Sequence, residues 1–357
     1  MKILQVSPNV LNLNKNMTYG GIERLVLGLK EQYDLMGLEN YVIAPDGDNS
    51  IPNVLPSLFE SYWASIKRDS KFQSPGNAVF NNLAHISKVL EIANASDVDI
   101  VHDHTGKVFS FHKSLNKPLL TTLHGPSEWF WDKDLYKEFF KGCNFNAVSE
   151  SQRQDYHFLD PQYVVYNGLE LKSFPFSLSS GSYLFSLGQI TRYKGQHHAI
   201  AAAERTNKPL ILGGNISEDP TDSEDRNYFD NEIRPHLGSS IKYVGELNDE
   251  QKKVFFRDAY AFLMPISCNE AFGLVVIESL ACGTPVIAFS RGAIPEIIEH
   301  GKNGFLVEDA EEMVRYLSRI DEIDRGYCRK SVLNRFDISL ISEKYIKVYE
   351  DVIRRAK

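Results

Sequence analysis

Glu270 and Glu278 bracket a turn that runs into a helix, in the stretch Cys268-Asn-Glu-Ala-Phe-Gly-Leu-Val-Val-Ile-Glu-Ser-Leu-Ala-Cys-Gly-Thr-Pro-Val-Ile. Ahead of it, residues 261–264 read as a buried strand. Behind it, residues 274–282 carry apolar side chains at helical spacing, closed by Gly283 and Pro285. Phe272, Gly273 and Leu274 therefore fall at a helix N-terminus, where unpaired N–H groups and the helix dipole favour an anion, and Gly273 lets a ligand approach the main chain. A carboxylate is a poor phosphate ligand but accepts hydrogen bonds from hydroxyls. Glu270 before the helix and Glu278 about one turn into it therefore suit the sugar hydroxyls on either side of a diphosphate, and the ligand that fits is a nucleotide sugar.

A second candidate is Gly188-Gln-Ile-Thr-Arg-Tyr-Lys-Gly195, between a strand at residues 183–187 and a helix beginning near Gln196. Lys194 at this turn could neutralise a departing diphosphate without any proton transfer. Gly20-Gly21 precede a helix at residues 22–36, a weak motif because paired glycines are often turn chemistry. Glu23 there reads as a surface charge at a helix N-terminus. His124 ends the strand at residues 119–123, at the carboxyl edge of a sheet. His102, Asp103 and His104 end another strand and raise the question of a metal, but no third ligand at helix or strand spacing accompanies them, so cleft-lining or structural roles are expected. Trp129, Phe130 and Trp131 are three adjacent aromatics in a loop: either packed beneath it, or an acceptor platform or membrane-touching rim formed by Trp129 and Trp131.

The segment around Glu270 and Glu278 closely resembles the Glu-x7-Glu signature of retaining glycosyltransferases of family 4, and residues 290–307 resemble the stretch immediately after that signature in the family. The resemblance implies a GT-B fold, two Rossmann-like domains whose parallel sheets face each other across a cleft. It implies further that His124 lies next to the transferred sugar, with Glu270 and Lys194 in catalytic roles. Gly20 would line the acceptor side and Gly21 the donor, while Gly245 and Leu247 in Tyr243-Val-Gly-Glu-Leu247 would hold the base by backbone contacts. The family pattern has Arg directly after the first glycine of the Lys194 turn. Here that position is Gln189, and Arg192 is the candidate replacement for its charge. The family's usual account has the acceptor attack the face that the diphosphate leaves, with the donor phosphate as base and no metal required.

At 357 residues the chain fits two domains. Short apolar runs alternate with helical patterns, the signature of parallel sheets with crossover helices, so an α/β chain is expected. Expected boundaries are 1–170 for an N-terminal domain, 171–338 for a nucleotide-sugar-binding domain, and 339–357 for an amphipathic helix that, by the resemblance, crosses back to the first domain. Residues 174–182, rich in serine with Pro and Gly, read as a linker. The net charge of −8 argues against nucleic acid as a partner. Four cysteines without paired spacing suggest neither zinc nor disulfides and fit a reducing cytoplasm. No stretch approaches eighteen apolar residues, so membrane contact would be at most peripheral, at the inner surface. Asp46-Gly-Asp48, Asp97-Val-Asp99 and Asp132-Lys-Asp134 match the Asp-x-Asp of metal-dependent transferases but read as surface, and no Gly-x-Gly-x-x-Gly follows a strand, so neither a metal nor a cofactor is expected. The acceptor is left open among a saccharide, a lipid-linked and a small-molecule hydroxyl. Rival readings are a nucleotide-sugar epimerase or hydrolase, a glycoside phosphorylase, and a non-catalytic sugar-nucleotide sensor.

Overall fold

The structure is a computed structural model that describes residues 1–14, 20–46, 51–58, 60–130, 132–216 and 223–357, leaving out the side chains of Ser70, Trp129 and Ser223. The first sheet contains β1 (Lys2–Val6), β2 (Glu39–Ala44), β3 (Val54–Pro56), β4 (Ile100–Asp103), β5 (Leu119–Leu123), β6 (Asn144–Ala147) and β7 (Tyr163–Val164), in the order β3-β2-β1-β4-β5-β6-β7. The second contains β8 (Tyr183–Leu187), β9 (Leu210–Gly213), β10 (Ile241–Tyr243), β11 (Ala259–Met264), β12 (Val286–Phe289) and β13 (Gly304–Val307), in the order β10-β9-β8-β11-β12-β13. The pairings are parallel in both sheets. Parallel strands covered on both faces need apolar side chains on both, and β11, Ala-Tyr-Ala-Phe-Leu-Met, is buried along its whole length. Strand order reverses between β1 and β4 in one sheet and between β8 and β11 in the other, and ligands of open parallel sheets bind beyond the carboxyl ends of strands at such points.

The chain forms two compact units. One comprises Met1–Leu169 with Ile338–Lys357, the other Glu170–Asp337. The helix Ile338–Ala356 packs on the helix Gly21–Leu35, where a Cβ on Gly28 would lie 3.1 Å from Ile338, and Tyr33 and Tyr349 share a hydrogen bond of 2.9 Å. Residues 174–182 do not link the units but strap onto the second: Arg329 donates to the Phe174 carbonyl at 2.9 Å, Arg325 to the Ser177 carbonyl at 3.1 Å, and Ser177 N–H to Cys282 at 3.2 Å. Their Ser, Pro and Gly content describes irregular backbone, and guanidinium groups distant in sequence fix where that backbone lies.

The strands expected at residues 119–123, 183–187 and 261–264 lie within two residues of those observed. β3 escapes the pattern because it has three residues, none of them buried. The helix Pro75–Ala95 starts at a Ser74 cap followed by proline. Its first turns expose Val79 and Phe80, and the buried positions begin only at His85, so the amphipathic signal starts late.

Candidate active site

In the second unit the turn after β8 is drawn tight. Thr191 accepts a hydrogen bond from Lys194 N–H at 3.3 Å, and Gly195 has φ +76°, with the space of a Cβ filled by the Pro265 carbonyl 2.1 Å away. Only glycine lets this turn come so close to the chain leaving β11. The Tyr193 carbonyl accepts from Ser267 N–H at 2.8 Å, and Lys194 Nζ reaches Glu270 Oε2 at 2.8 Å. Lys194 and Glu270 thus meet at the strand-order reversal of the second sheet. Burial would lower the pKa of Lys194, but the Glu270 carboxylate outweighs it and holds the group above its ordinary 10.5, so it is a cation at neutral pH.

Glu270 is held from behind by its main chain. Its carbonyl accepts from Ala293 N–H at 2.9 Å, and a Cβ on Gly292, φ +57°, would stand 2.3 Å from the same oxygen. The helix Leu274–Ala281 comes next, with Gly273 at φ +102° and no side chain capping it. Phe272 packs edge-on to Phe336 and is 2% exposed, leaving its ring to the core. Glu278 is 0% exposed, and its carboxylate receives Lys252 Nζ at 2.5 Å, with Asp249 on the same ammonium at 3.0 Å. A ribose therefore reaches Glu278 only if the chain over it gives way.

The remaining expected donor residues are separately engaged. Arg192, 60% exposed, pairs with Glu232 and lies over the Tyr228 ring. Gln189 donates to Asp225 at 3.2 Å. Gly245, φ +74°, has open space where a side chain would be, and its carbonyl holds Gly214 N–H at 2.8 Å, while Leu247 is buried against Gly213. The structure thus brings together Lys194, Glu270 and the Gly273 helix start, and turns Arg192 toward other partners.

In the first unit His104 and His124 stand at the carboxyl ends of the neighbouring strands β4 and β5, with His104 Nδ1 and His124 Nε2 3.2 Å apart. Burial lowers His124 to about 3, so it is neutral at pH 7. Asp103 accepts from Thr105 N–H, Thr105 Oγ1, Lys107 N–H, Val108 N–H and Thr121 Oγ1, and so ties down the loop after β4. His102 is bonded through both nitrogens, to Tyr349 and Thr122. Among the described residues no group of three or more His, Cys, Asp or Glu is placed to hold a metal.

Glu23 corrects an expectation. Instead of a surface charge it is 4% exposed and folded back over Gly20, whose Cβ would lie 2.8 Å from its carboxylate, and burial pushes its pKa up to about 7. Gly20, φ +117°, leads into the helix that Gly21 opens. Phe130 packs against Phe109, Tyr136 and Tyr156, whereas Trp131 and the Trp129 side chain lie outside the described residues. So do Gly47 and Asp48 of the first Asp-x-Asp. Asp97 pairs with Lys2, and Asp132 caps the helix Lys133–Phe139. The sequence reading missed Lys252, Gly292 and the His104–His124 pair. Lys252 lies in Asp249-Glu-Gln-Lys-Lys253, which reads as a solvated first turn, and only the apolar Val254-Phe-Phe256 behind it hints at a buried face.

Residues 173–327 match the family Glycosyl transferases group 1, and residues 19–173 match Glycosyltransferase Family 4. The N-acetyl-alpha-D-glucosaminyl L-malate synthase of Bacillus anthracis is 23% identical over 344 residues, 85% of this chain and 87% of that protein. The coverage of other curated relatives ranges from 32% to 86% of their own length. Among solved structures, sucrose-phosphate synthase from Thermosynechococcus elongatus superposes with a TM-score of 0.79 at 18% identity, covering 99% of both chains. Anabaena Alr3699/HepE, in complex with UDP-glucose, gives 0.72 at 16% identity, covering 98% of this chain and 100% of that one. With a glycosyltransferase family matched on each of the two sheet-bearing halves, the chain belongs to the family 4 glycosyltransferases and has their GT-B fold.

Proposed function

We propose that the protein transfers a sugar, with retention, from a UDP- or GDP-sugar to an acceptor hydroxyl without a metal cofactor. The observation that carries this reading is the Lys194–Glu270 pair, 2.8 Å apart beside the helix that starts at Gly273. A diphosphate entering there would exchange the carboxylate partner of Lys194 for its own oxygens and gain the main-chain N–H groups at the helix start. Released from the ammonium, Glu270 would accept hydroxyls of the sugar being transferred. As the glycosidic bond breaks, charge grows on the leaving phosphate, and a fixed cation stabilises that state more than the ground state. No protein nucleophile is needed if the acceptor enters on the face the phosphate leaves and gives its proton to that phosphate. His124, neutral at pH 7, would hydrogen-bond the transferred sugar rather than supply charge. Solved relatives with UDP or UDP-glucose bound support a nucleotide-sugar donor.

The test is a panel of UDP- and GDP-sugars incubated with saccharide, lipid-linked and small-molecule acceptors in excess EDTA, with the anomeric centre of the product read by NMR. An inverted product, or activity abolished by chelation and restored by a divalent ion, would contradict the proposal.

A further inference from the structure

His104 is the less obvious member of the histidine pair. It is 1% exposed, its backbone N–H is bound to the Val6 carbonyl at 3.0 Å across the β1–β4 reversal, and its ring lies on that of His102 with centroids 3.9 Å apart. His102 is itself locked, Nδ1 on the Tyr349 hydroxyl at 2.6 Å and Nε2 on Thr122 Oγ1 at 2.8 Å. Asp103 fixes the loop beyond the strand. The His104 ring therefore has one orientation, with Nδ1 on His124 Nε2 at 3.2 Å and Nε2 buried and, among the described residues, without a partner.

One hydrogen is shared between the two rings, and its position decides what His124 offers outward. If His124 donated, His104 would carry its own hydrogen on the sealed Nε2, leaving an orphan buried N–H, the rarest kind of unsatisfied group. If His104 donates, the sealed atom is a bare acceptor, and the hydrogen of His124 sits on Nδ1, the nitrogen that is neither bonded nor sealed among the described residues. We propose that His104 is a positioning residue: its Nδ1–H donates to His124 Nε2, fixes the Nδ1–H tautomer of His124, and makes His124 a hydrogen-bond donor toward a ligand oxygen. The part of this that concerns catalysis rests on the sugar-transfer reading.

Two-bond ¹⁵N–¹H correlation spectra of the histidine-labelled protein, assigned with a His124→Ala variant, read the tautomer directly. The wild type should show His124 protonated on Nδ1. His104→Asn, whose amide nitrogen falls where Nδ1 was, should keep that state and most of kcat. His104→Leu should lose it and lower kcat about tenfold or more, with donor KM within about twofold. If the leucine variant fails to fold, His104→Gln, whose amide reaches past the Nδ1 position, serves instead with the same expectation. An Nε2–H tautomer of His124 in the wild type, a tautomer unchanged in His104→Leu or His104→Gln, or undiminished turnover in them overturns the proposal. The spectra need no turnover, so an Nδ1–H tautomer in a protein that transfers no sugar would refute the sugar-transfer reading alone.

Discussion

Lys252→Met should be among the most destabilising single changes in the second unit. The substitution keeps most of the side-chain volume but removes the ammonium from a Glu278 carboxylate that is 0% exposed. Breaking a buried pair by deleting one partner costs about 3–5 kcal/mol, because the remaining charge loses its counter-charge while still held out of water. For a unit of this size, about 2–4 °C per kcal/mol puts the loss at roughly 6–20 °C in melting temperature. Glu278→Met should cost less, because Asp249 stays on the ammonium at 3.0 Å and is itself partly exposed. The double variant replaces both charges with apolar groups and should lie within about 2 kcal/mol of the wild type, giving a coupling energy of about 3 kcal/mol. Trp63, Trp129 and Trp131 all lie in the first unit, so tryptophan fluorescence would miss the event. Circular dichroism in urea, with native-state hydrogen exchange of the Leu274–Ala281 amides, reports it. A Lys252→Met variant within about 1 kcal/mol of the wild type, or single costs that simply add, would refute the reasoning.

Gly292→Ala should lower kcat strongly while sparing overall stability more than a core truncation would, since its Cβ would stand 2.3 Å from the Glu270 carbonyl and displace that loop, as Michaelis kinetics beside a melting curve would show. Arg192→Ala should change turnover and stability little, because an exposed pair such as Arg192–Glu232 contributes at most about 1 kcal/mol. Glu23→Gln should alter the pH dependence of stability. With a folded pKa of about 7 against an ordinary 4.5, the folded state keeps a proton that the unfolded chain has lost, so this contribution is whole below pH 4.5 and disappears as pH rises through 7. The shift amounts to about 3 kcal/mol, and urea titrations at pH 5 and pH 8 should show the variant relieved of the loss.

The sheets were legible because parallel strands buried on both faces are written as short apolar runs, and β5 and β8 lie where those runs place them. The Gly273 turn was legible for a similar reason: a strand, a glycine and a helix carry their geometry in local residue types. What stayed hidden depends on partners distant in sequence. Nothing near Lys252 says that it closes on Glu278, 26 positions later, and nothing near Glu23 says that folding seals it. The Lys194–Glu270 pair joins residues 76 apart, brought together by the approach of Gly195 to Pro265 and by Ser267 N–H on the Tyr193 carbonyl. His104 shows only its residue type in the sequence, because its significance lies in the register of β4 on β5.

The central claim, that a nucleoside diphosphate displaces Glu270 from Lys194 at the start of the Leu274–Ala281 helix, is tested most directly by a crystal structure with UDP or GDP bound. The account predicts a phosphate oxygen within about 3 Å of Lys194 Nζ, main-chain N–H groups of Gly273 or Leu274 on the same diphosphate, and the Glu270 carboxylate freed from the ammonium. A nucleotide bound elsewhere, or bound there with the 2.8 Å Lys194–Glu270 contact intact, would contradict it.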